Sequence, residues 1–285
     1  MDKRGENAVR QGGKRLLAAL AAAALLTAAL ICDSRYALQV SEYEIVSAEL
    51  PAEFDGFRIV HLSDLHGAEF GRDNSRLAEQ IKLREPDLIA LTGDFAAQPA
   101  DLEAAEDLLR GIGGIAPIYY VSGNHEWAGN CIAETKALME RYGVTCLENE
   151  YELLRRDGAG IVVAGVEDPN GWADMIQPEA LAQRLRGDYP AEYVLWLGHR
   201  NYWVREYPAL PVDLILCGHA HGGIVRLPLI GGLLDVNHRL GAEYEAGLYV
   251  SGDYCMEVSR GLGNSIPIPR LFNRPEIAVL TLKAV

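Results

Sequence analysis

Five times along this chain an apolar run breaks at a small residue and delivers a side chain able to bind a metal. The first run, Arg58-Ile59-Val60-His61-Leu62, ends in Ser63-Asp64-Leu65-His66-Gly67. On an extended backbone positions i and i+2 share a face, so Asp64 and His66 are expected to project together from one strand tip. Gly93-Asp94, Gly123-Asn124-His125-Glu126, Gly198-His199 and Gly218-His219-Ala220-His221 follow, each behind its own apolar run. The glycines let the backbone turn sharply and approach a ligand closely. An isolated Asp or His at a strand end is usually a turn residue. It is the recurrence that constrains the chain.

Carboxylate oxygen, amide oxygen and imidazole nitrogen form a mixed hard and borderline ligand set, better suited to Mn, Fe or Zn than to Ca. Asp64, His66, Asp94 and His221 would satisfy one ion. Asp94, Asn124, His199 and His219 would satisfy a second, with Asp94 bridging. Two ions about 3.5–4 Å apart can hold a hydroxide between them and clamp a phosphoryl group for in-line displacement. His61 lies mid-strand and reads as a core or sheet-face histidine. His238 sits among polar residues in an irregular stretch and reads as surface. Arg200 reads as a solvated side chain, with a phosphate contact as the alternative. Glu126 either orients His125 or is an exposed carboxylate.

The elements between these blocks alternate. Residues 36–50, 58–63, 87–92, 118–121, 161–166, 194–197, 214–217, 247–251 and 277–282 have strand character. Residues 74–84, 100–112, 132–142 and 179–186 have helical spacing, and Glu85-Pro86 stops the first of them. Strands alternating with helices predict an α/β layered fold.

Ahead of this lies Leu16 to Ile31, almost wholly Ala and Leu and preceded by Lys3, Arg4, Arg10, Lys14 and Arg15. The run is at the short end of the about 17–25 residues a spanning helix needs. Asp33-Ser34-Arg35 leaves no clear small-x-small cleavage site. The segment is expected to be an uncleaved membrane anchor, with a cleaved signal as the alternative. The basic flank would stay in the cytoplasm and the main domain outside. The divisions expected are a flank at 1–15, the anchor or signal at 16–32, a linker and leading strand at 33–56, and a catalytic domain at 57–285. The net charge is −14, and −17 beyond residue 15. That surface repels nucleic acid and anionic membrane, so no nucleic-acid partner is expected. The five widely spaced cysteines form no CxxC pair and do not read as a disulfide framework.

Taken in order, Asp64-Leu65-His66, Gly93-Asp94, Gly123-Asn124-His125-Glu126, His199 and Gly218-His219-Ala220-His221 resemble the calcineurin-like metallophosphoesterase superfamily. The resemblance extends through Ser259-Arg260-Gly261-Leu262-Gly263 and Arg274-Pro275-Glu276-Ile277. It is strongest to a bacterial membrane-anchored branch similar to lipid-sugar pyrophosphatases and phosphodiesterases. It implies a four-layer αββα sandwich, two mixed sheets flanked by helices, with two divalent ions (Mn, Fe or Zn). It also implies a metal-bridging hydroxide as nucleophile, and His125 as a non-ligand histidine near the leaving group. Many members carry a second Asp shortly after the bridging one. Here the run is Asp94-Phe95-Ala96-Ala97, which argues against a phosphoprotein phosphatase. The activity expected is cleavage of a phosphodiester or pyrophosphate on a phosphorylated small-molecule or lipid-linked substrate. The alternatives are a soluble phosphomonoesterase and a non-catalytic binding protein, though no ligand position or His125 is lost. The apolar stretch Ile224 to Leu234 is either a membrane-facing rim or a core strand and turn.

Overall fold

A computed structural model describes residues 3–285 apart from 175, 238 and 253. His238 therefore lies outside the described residues. In chain order the elements are α1 (Lys3–Tyr36), β1 (Gln39–Ser47), β2 (Arg58–Leu62), α2 (Ser75–Lys82), β3 (Leu88–Thr92), α3 (Leu102–Ile112) and β4 (Ile118–Val121). Next come α4 (Asn124–Ala128), α5 (Ile132–Arg141), β5 (Thr145–Cys146), β6 (Glu150–Arg156), β7 (Ala159–Gly165), α6 (Pro178–Asp188) and β8 (Tyr193–Leu197). The chain ends with α7 (Trp203–Glu206), β9 (Leu214–Cys217), β10 (Arg226–Leu227), β11 (Gly231–Gly232), β12 (Gly247–Ser251), β13 (Tyr254–Val258) and β14 (Glu276–Ala284).

Two six-stranded mixed sheets form, in the orders β1-β14-β2-β3-β4-β5 and β12-β13-β9-β8-β7-β6. Strands β2, β3 and β4 are mutually parallel, as are β7, β8 and β9. Alternate residues of each strand point to opposite faces, and here both faces are covered. Ile59, Leu88, Ala90 and Tyr119 of the first sheet meet Ile161, Val163, Leu195 and Leu214 of the second. Val60, Ile89 and Leu91 turn the other way, onto Leu77, Leu108 and Leu138 of α2, α3 and α5. Val162, Val194 and Trp196 pack on Leu181 and Leu185 of α6. The fold is thus the four-layer α/β sandwich expected. The central strands are continuously apolar because neither face meets water.

Among the strands longer than two residues, β6 and β13 were not anticipated. In β6 the alternation is weak, since Glu150-Tyr151-Glu152-Leu153-Leu154-Arg155-Arg156 is a half-exposed edge. In β13 the apolar run is interrupted by Glu257, which is buried and pairs with His61 across the two sheets. His61 also bonds Thr92 Oγ1 at 2.7 Å through Nε2, so it is a core residue as read from its mid-strand position.

The apolar N-terminal segment continues as helix to Tyr36 and passes within two residues into β1. Its stretch Gln11–Tyr36 is long and apolar enough to cross a membrane. It is not a core helix, because Leu16, Leu17, Leu20, Leu25 and Leu26 are all exposed. The segment is compatible with a single-pass anchor. Residues 33–56, expected as linker and leading strand, hold the last turn of α1, the sheet strand β1 and a short 3-10 turn at Ala52–Phe54.

Candidate metal centre

The five blocks lie at the carboxyl ends of β2, β3, β4, β8 and β9, so each sheet contributes from its parallel strands. That edge is where open α/β sheets bind ligands. The loops are sewn together before any side chain is considered. Asp64 N–H donates to Gly93 O at 3.0 Å, and His66 N–H to Asp94 O at 3.0 Å. Gly93 has φ +81°, and a Cβ there would lie 2.4 Å from Gly123 N. A Cβ on Gly123 would lie 2.2 Å from Asp94 Oδ1. Only glycine allows the β3 and β4 loops to touch in this way.

The backbone at the ligands is not extended. Asp64, His66, Asp94, His219 and His221 have φ of +53°, +46°, +57°, +69° and +47°. Asp64 and His66 do converge, but through left-handed turns rather than through the two-residue period of a strand. Non-glycine residues in that region cost roughly 1–3 kcal/mol each and cluster at ligand clamps. Here the surrounding loop bonds hold them.

Each carboxylate commits one oxygen and leaves the other free. Asp94 Oδ1 accepts His125 N–H at 2.8 Å. Its Oδ2 has no hydrogen-bond partner and stands 3.2 Å from His199 Nε2, 3.6 Å from His66 Nε2 and 4.0 Å from His125 Nε2. Asp64 Oδ2 accepts His219 N–H at 3.0 Å, while Oδ1, also without a partner, is 3.4 Å from His221 Nε2 and 3.9 Å from His66 Nε2. Both ring nitrogens of His66 and Nδ1 of His221 are likewise buried and unpartnered. Buried polar atoms are normally paired, and an unpaired buried charge is costly. A cation between Asp64 Oδ1, Asp94 Oδ2 and the facing imidazole nitrogens would supply the partner those two oxygens lack.

Two groups of ligand atoms emerge, Asp64 with His66, Asp94 and His221, and Asp94 with His199 and His219. The atoms of each group lie within 4.8 Å of one another, and Asp94 belongs to both. Asn124 joins the second through Oδ1, 3.1 Å from His199 Nε2. His199 Nδ1 is 2.8 Å from Thr92 O, an acceptor, so Nδ1 carries the hydrogen and Nε2 is left as the ligand atom. That nitrogen is also 3.2 Å from His219 Nδ1. His125 stands at the mouth, edge-on to the His66 ring at 4.8 Å, with about a third of its side chain exposed.

Burial lowers the pKa of His66 to about 4, and it lowers His221 and His219 as well. Neutral imidazoles are what a metal requires; at His199 burial opposes the charge but the facing Asp94 raises the pKa to about 10, so a metal there would displace a proton. Burial opposes ionisation of Asp94, yet the facing His199 and His66 hold it well below the usual carboxylate range.

Three features go beyond the reading of the sequence. Glu126 is fully buried and neither orients His125 nor faces solvent. Its carboxylate accepts the N–H groups of Phe95 at 2.6 Å and of Asp94 and Gly123 at 3.0 Å, clamping two ligand loops together. Burial and Asp94 raise its pKa to about 8. Arg200 is not solvated. It forks onto buried Asp168 at 2.5 and 3.0 Å and brings Nη1 to 3.1 Å from His219 Nε2. Asp168 follows the apolar run Ile161–Val166, so the strand-then-polar rule applied a sixth time would have found it. The segment 261–263 lies behind Asp64, with Leu262 N–H donating to Ser63 O at 3.0 Å and Gly263 N–H to Asp64 O at 2.6 Å. This gives the Ser259–Gly263 block a physical purpose.

Two imidazole-rich clusters that could each hold a metal ion, sharing one carboxylate, are the equipment of metal-dependent hydrolases. The chain belongs to the calcineurin-like phosphoesterase family, whose sequence model matches residues 57–223, and it is a metal-dependent phosphoester hydrolase. It is 32% identical to the uncharacterized metallophosphoesterase YkuE of Bacillus subtilis, over 96% of this chain and 97% of that one. It is 30% identical to phosphodiesterase YaeI of Escherichia coli, over 79% of this chain and 82% of the relative. A Bos taurus transmembrane protein with metallophosphoesterase domain matches at 30% identity, over 86% of this chain and 57% of its own length.

Proposed function

We propose that this chain hydrolyses a phosphodiester or pyrophosphate bond of a membrane-borne substrate. The observation that carries the reading is the pair of buried carboxylates, each with one oxygen unpartnered and turned toward imidazole nitrogens, the unpartnered His66 Nε2 facing both. Asp64, His66, Asp94 and His221 hold one divalent ion, and Asp94, Asn124, His199 and His219 hold the other; Mn, Fe or Zn suits the donors. When bound, the ions supply Lewis acidity and an activated water. The chain's own residues do the rest. His125 Nε2–H, at the open side of the cluster, hydrogen-bonds the leaving oxygen and gives it a proton as the P–O bond breaks. Water supplies the oxygen of the new P–O bond, so a diester yields a phosphomonoester and an alcohol, and a pyrophosphate yields two phosphomonoesters. Arg200, fixed by Asp168 beside His219, places a permanent positive charge where a phosphate oxygen arrives.

The similarity to a relative named phosphodiesterase and the run Asp94-Phe95-Ala96-Ala97, with no second Asp close behind, favour diesters over phosphoproteins. A hydrolysis panel with Mn²⁺ tests the activity, comparing aryl phosphodiesters, lipid pyrophosphates and soluble phosphomonoesters. Diester or pyrophosphate turnover abolished by chelation and restored by Mn²⁺ is expected. Preference for soluble monoesters would overturn the substrate class, and no turnover at all would point to a binding protein on this fold.

Helix α1 anchors the chain, with the basic flank in the cytoplasm and the domain outside. Protease added to wall-stripped cells is therefore expected to digest the domain. Protection until the membrane is broken would reverse the orientation.

A further inference from the structure

Three cavities stand in a row past the metal centre. The first, about 350 Å³, opens between α1 and the domain and is lined by Ile31, Arg35, His66, Leu262, Ile266 and Pro269 among others. The second, about 190 Å³, is the mouth of the centre itself, with His125, His221 and again Ile266 in its wall. The third, about 340 Å³, lies beyond His219 and is polar, with Arg200, Tyr202, Asp235 and Glu243. Ile266 is common to the first and second, and His219, Ala220, Asp235 and Val236 to the second and third. The row therefore begins at the outer end of an apolar helix, passes the metal ligands and ends among polar groups.

The helix is fixed to this row. Both Nε and Nη2 of Arg274 donate to the Asp33 carboxylate, at 2.8 and 2.7 Å. Asn273 N–H donates to the Oγ of buried Ser34 at 3.4 Å. The side chain of the same Asn273 donates through Nδ2 to His221 O at 2.8 Å and Ile224 O at 3.1 Å. One residue thus ties the end of α1 to the loop that carries a metal ligand. Beside it, Ile268 and Phe272 are exposed, as are Leu229 and Ile230 in the β10–β11 hairpin, which Arg226 N–H joins to Leu271 O at 3.0 Å. Exposed apolar side chains on adjoining loops next to the exit of a membrane-length helix fit a lipid surface.

We propose that the end of α1 is a wall of the substrate site. The first cavity takes the apolar chain of a phosphoester still resident in the bilayer. The metal centre takes its phosphate, and the third cavity takes the polar group across the scissile bond. Arg35 sets a positive charge on the rim that an anionic phosphate passes. This rests on the phosphodiesterase reading above and adds to it the route of entry and a second task for the anchor.

The test uses the full chain in phosphatidylcholine vesicles with Mn²⁺ and two probes, hexadecyl para-nitrophenyl phosphate and methyl para-nitrophenyl phosphate. Ile31→Trp and Pro269→Trp fill the first cavity from two different walls. Each is expected to lower kcat/KM for the hexadecyl ester on the order of tenfold while leaving turnover of the methyl ester and the bound metal unchanged. Parallel loss on both probes, or no loss on either, would overturn the proposal even if the wild type cleaves both. A wild type that cleaves neither diester but does cleave a monoester would remove the underlying substrate reading, and the proposal with it.

Discussion

Asp94→Ala is expected to empty both metal positions at once. Its Oδ2 faces His66 of the first cluster and His199 of the second, and among the described residues no other side chain belongs to both clusters. Activity should fall by more than the roughly 10–100-fold that loss of an outer-shell partner costs. Asn124→Ala, which touches only the second cluster, should retain one ion and fall less. Because alanine also frees the His125 N–H held by Oδ1, Asp94→Asn serves as the companion variant. It keeps an acceptor for that N–H and removes only the charge. Metal analysis of the purified proteins decides the matter, since two ions still bound to both Asp94 variants would show that the carboxylate bridges nothing.

His125→Ala is expected to leave metal content and unfolding behaviour intact while turnover drops on the order of 10²–10⁴-fold, the range for a lost general acid. The histidine contacts the cluster only from outside, 4.0 Å from Asp94 Oδ2, and its side chain is partly open to solvent. A group placed there can reach a leaving oxygen without holding a metal. The loss should shrink as the leaving group becomes more acidic, because nitrophenolate departs without a proton. Comparing alkyl and nitrophenyl esters of one phosphate gives the result, and an equal loss on both would exclude the acid role.

The layered fold and the identity of the clustered side chains could be read from the chain because both depend on short-range pattern. Apolar runs such as Leu88–Thr92 and Leu214–Cys217, short and followed by glycine, read as strands buried on both faces, and a polar residue directly after such a run lies at the sheet edge. What escaped depends on partners distant in sequence. Glu126 looks like any acidic residue in a loop, and its burial follows only once the Asp94 and Gly123 loops meet around it. Arg200 becomes a fixed cation only because Asp168 arrives from another strand. The left-handed backbone at Asp64 and His66 is held by bonds to the Gly93–Phe95 loop and, at Asp64, to the segment 261–263, two hundred residues away in the chain. The strand Tyr254–Val258 was hidden by Glu257, whose partner His61 is equally remote.

Strand β14 lies between β1 and β2, parallel to one and antiparallel to the other. A strand more than two hundred residues beyond its neighbours is therefore an inner strand of the first sheet. Until it emerges, β1 and β2 each keep an unpaired edge, and the long-range pairing that closes the sheet cannot begin. The loop at Asp64 and His66 waits too, because its backing segment precedes β14 by only a dozen residues. Metal binding depends on folded ligands, so loading of the position that Asp64 and His66 serve has to follow the pairing of β14 rather than precede it.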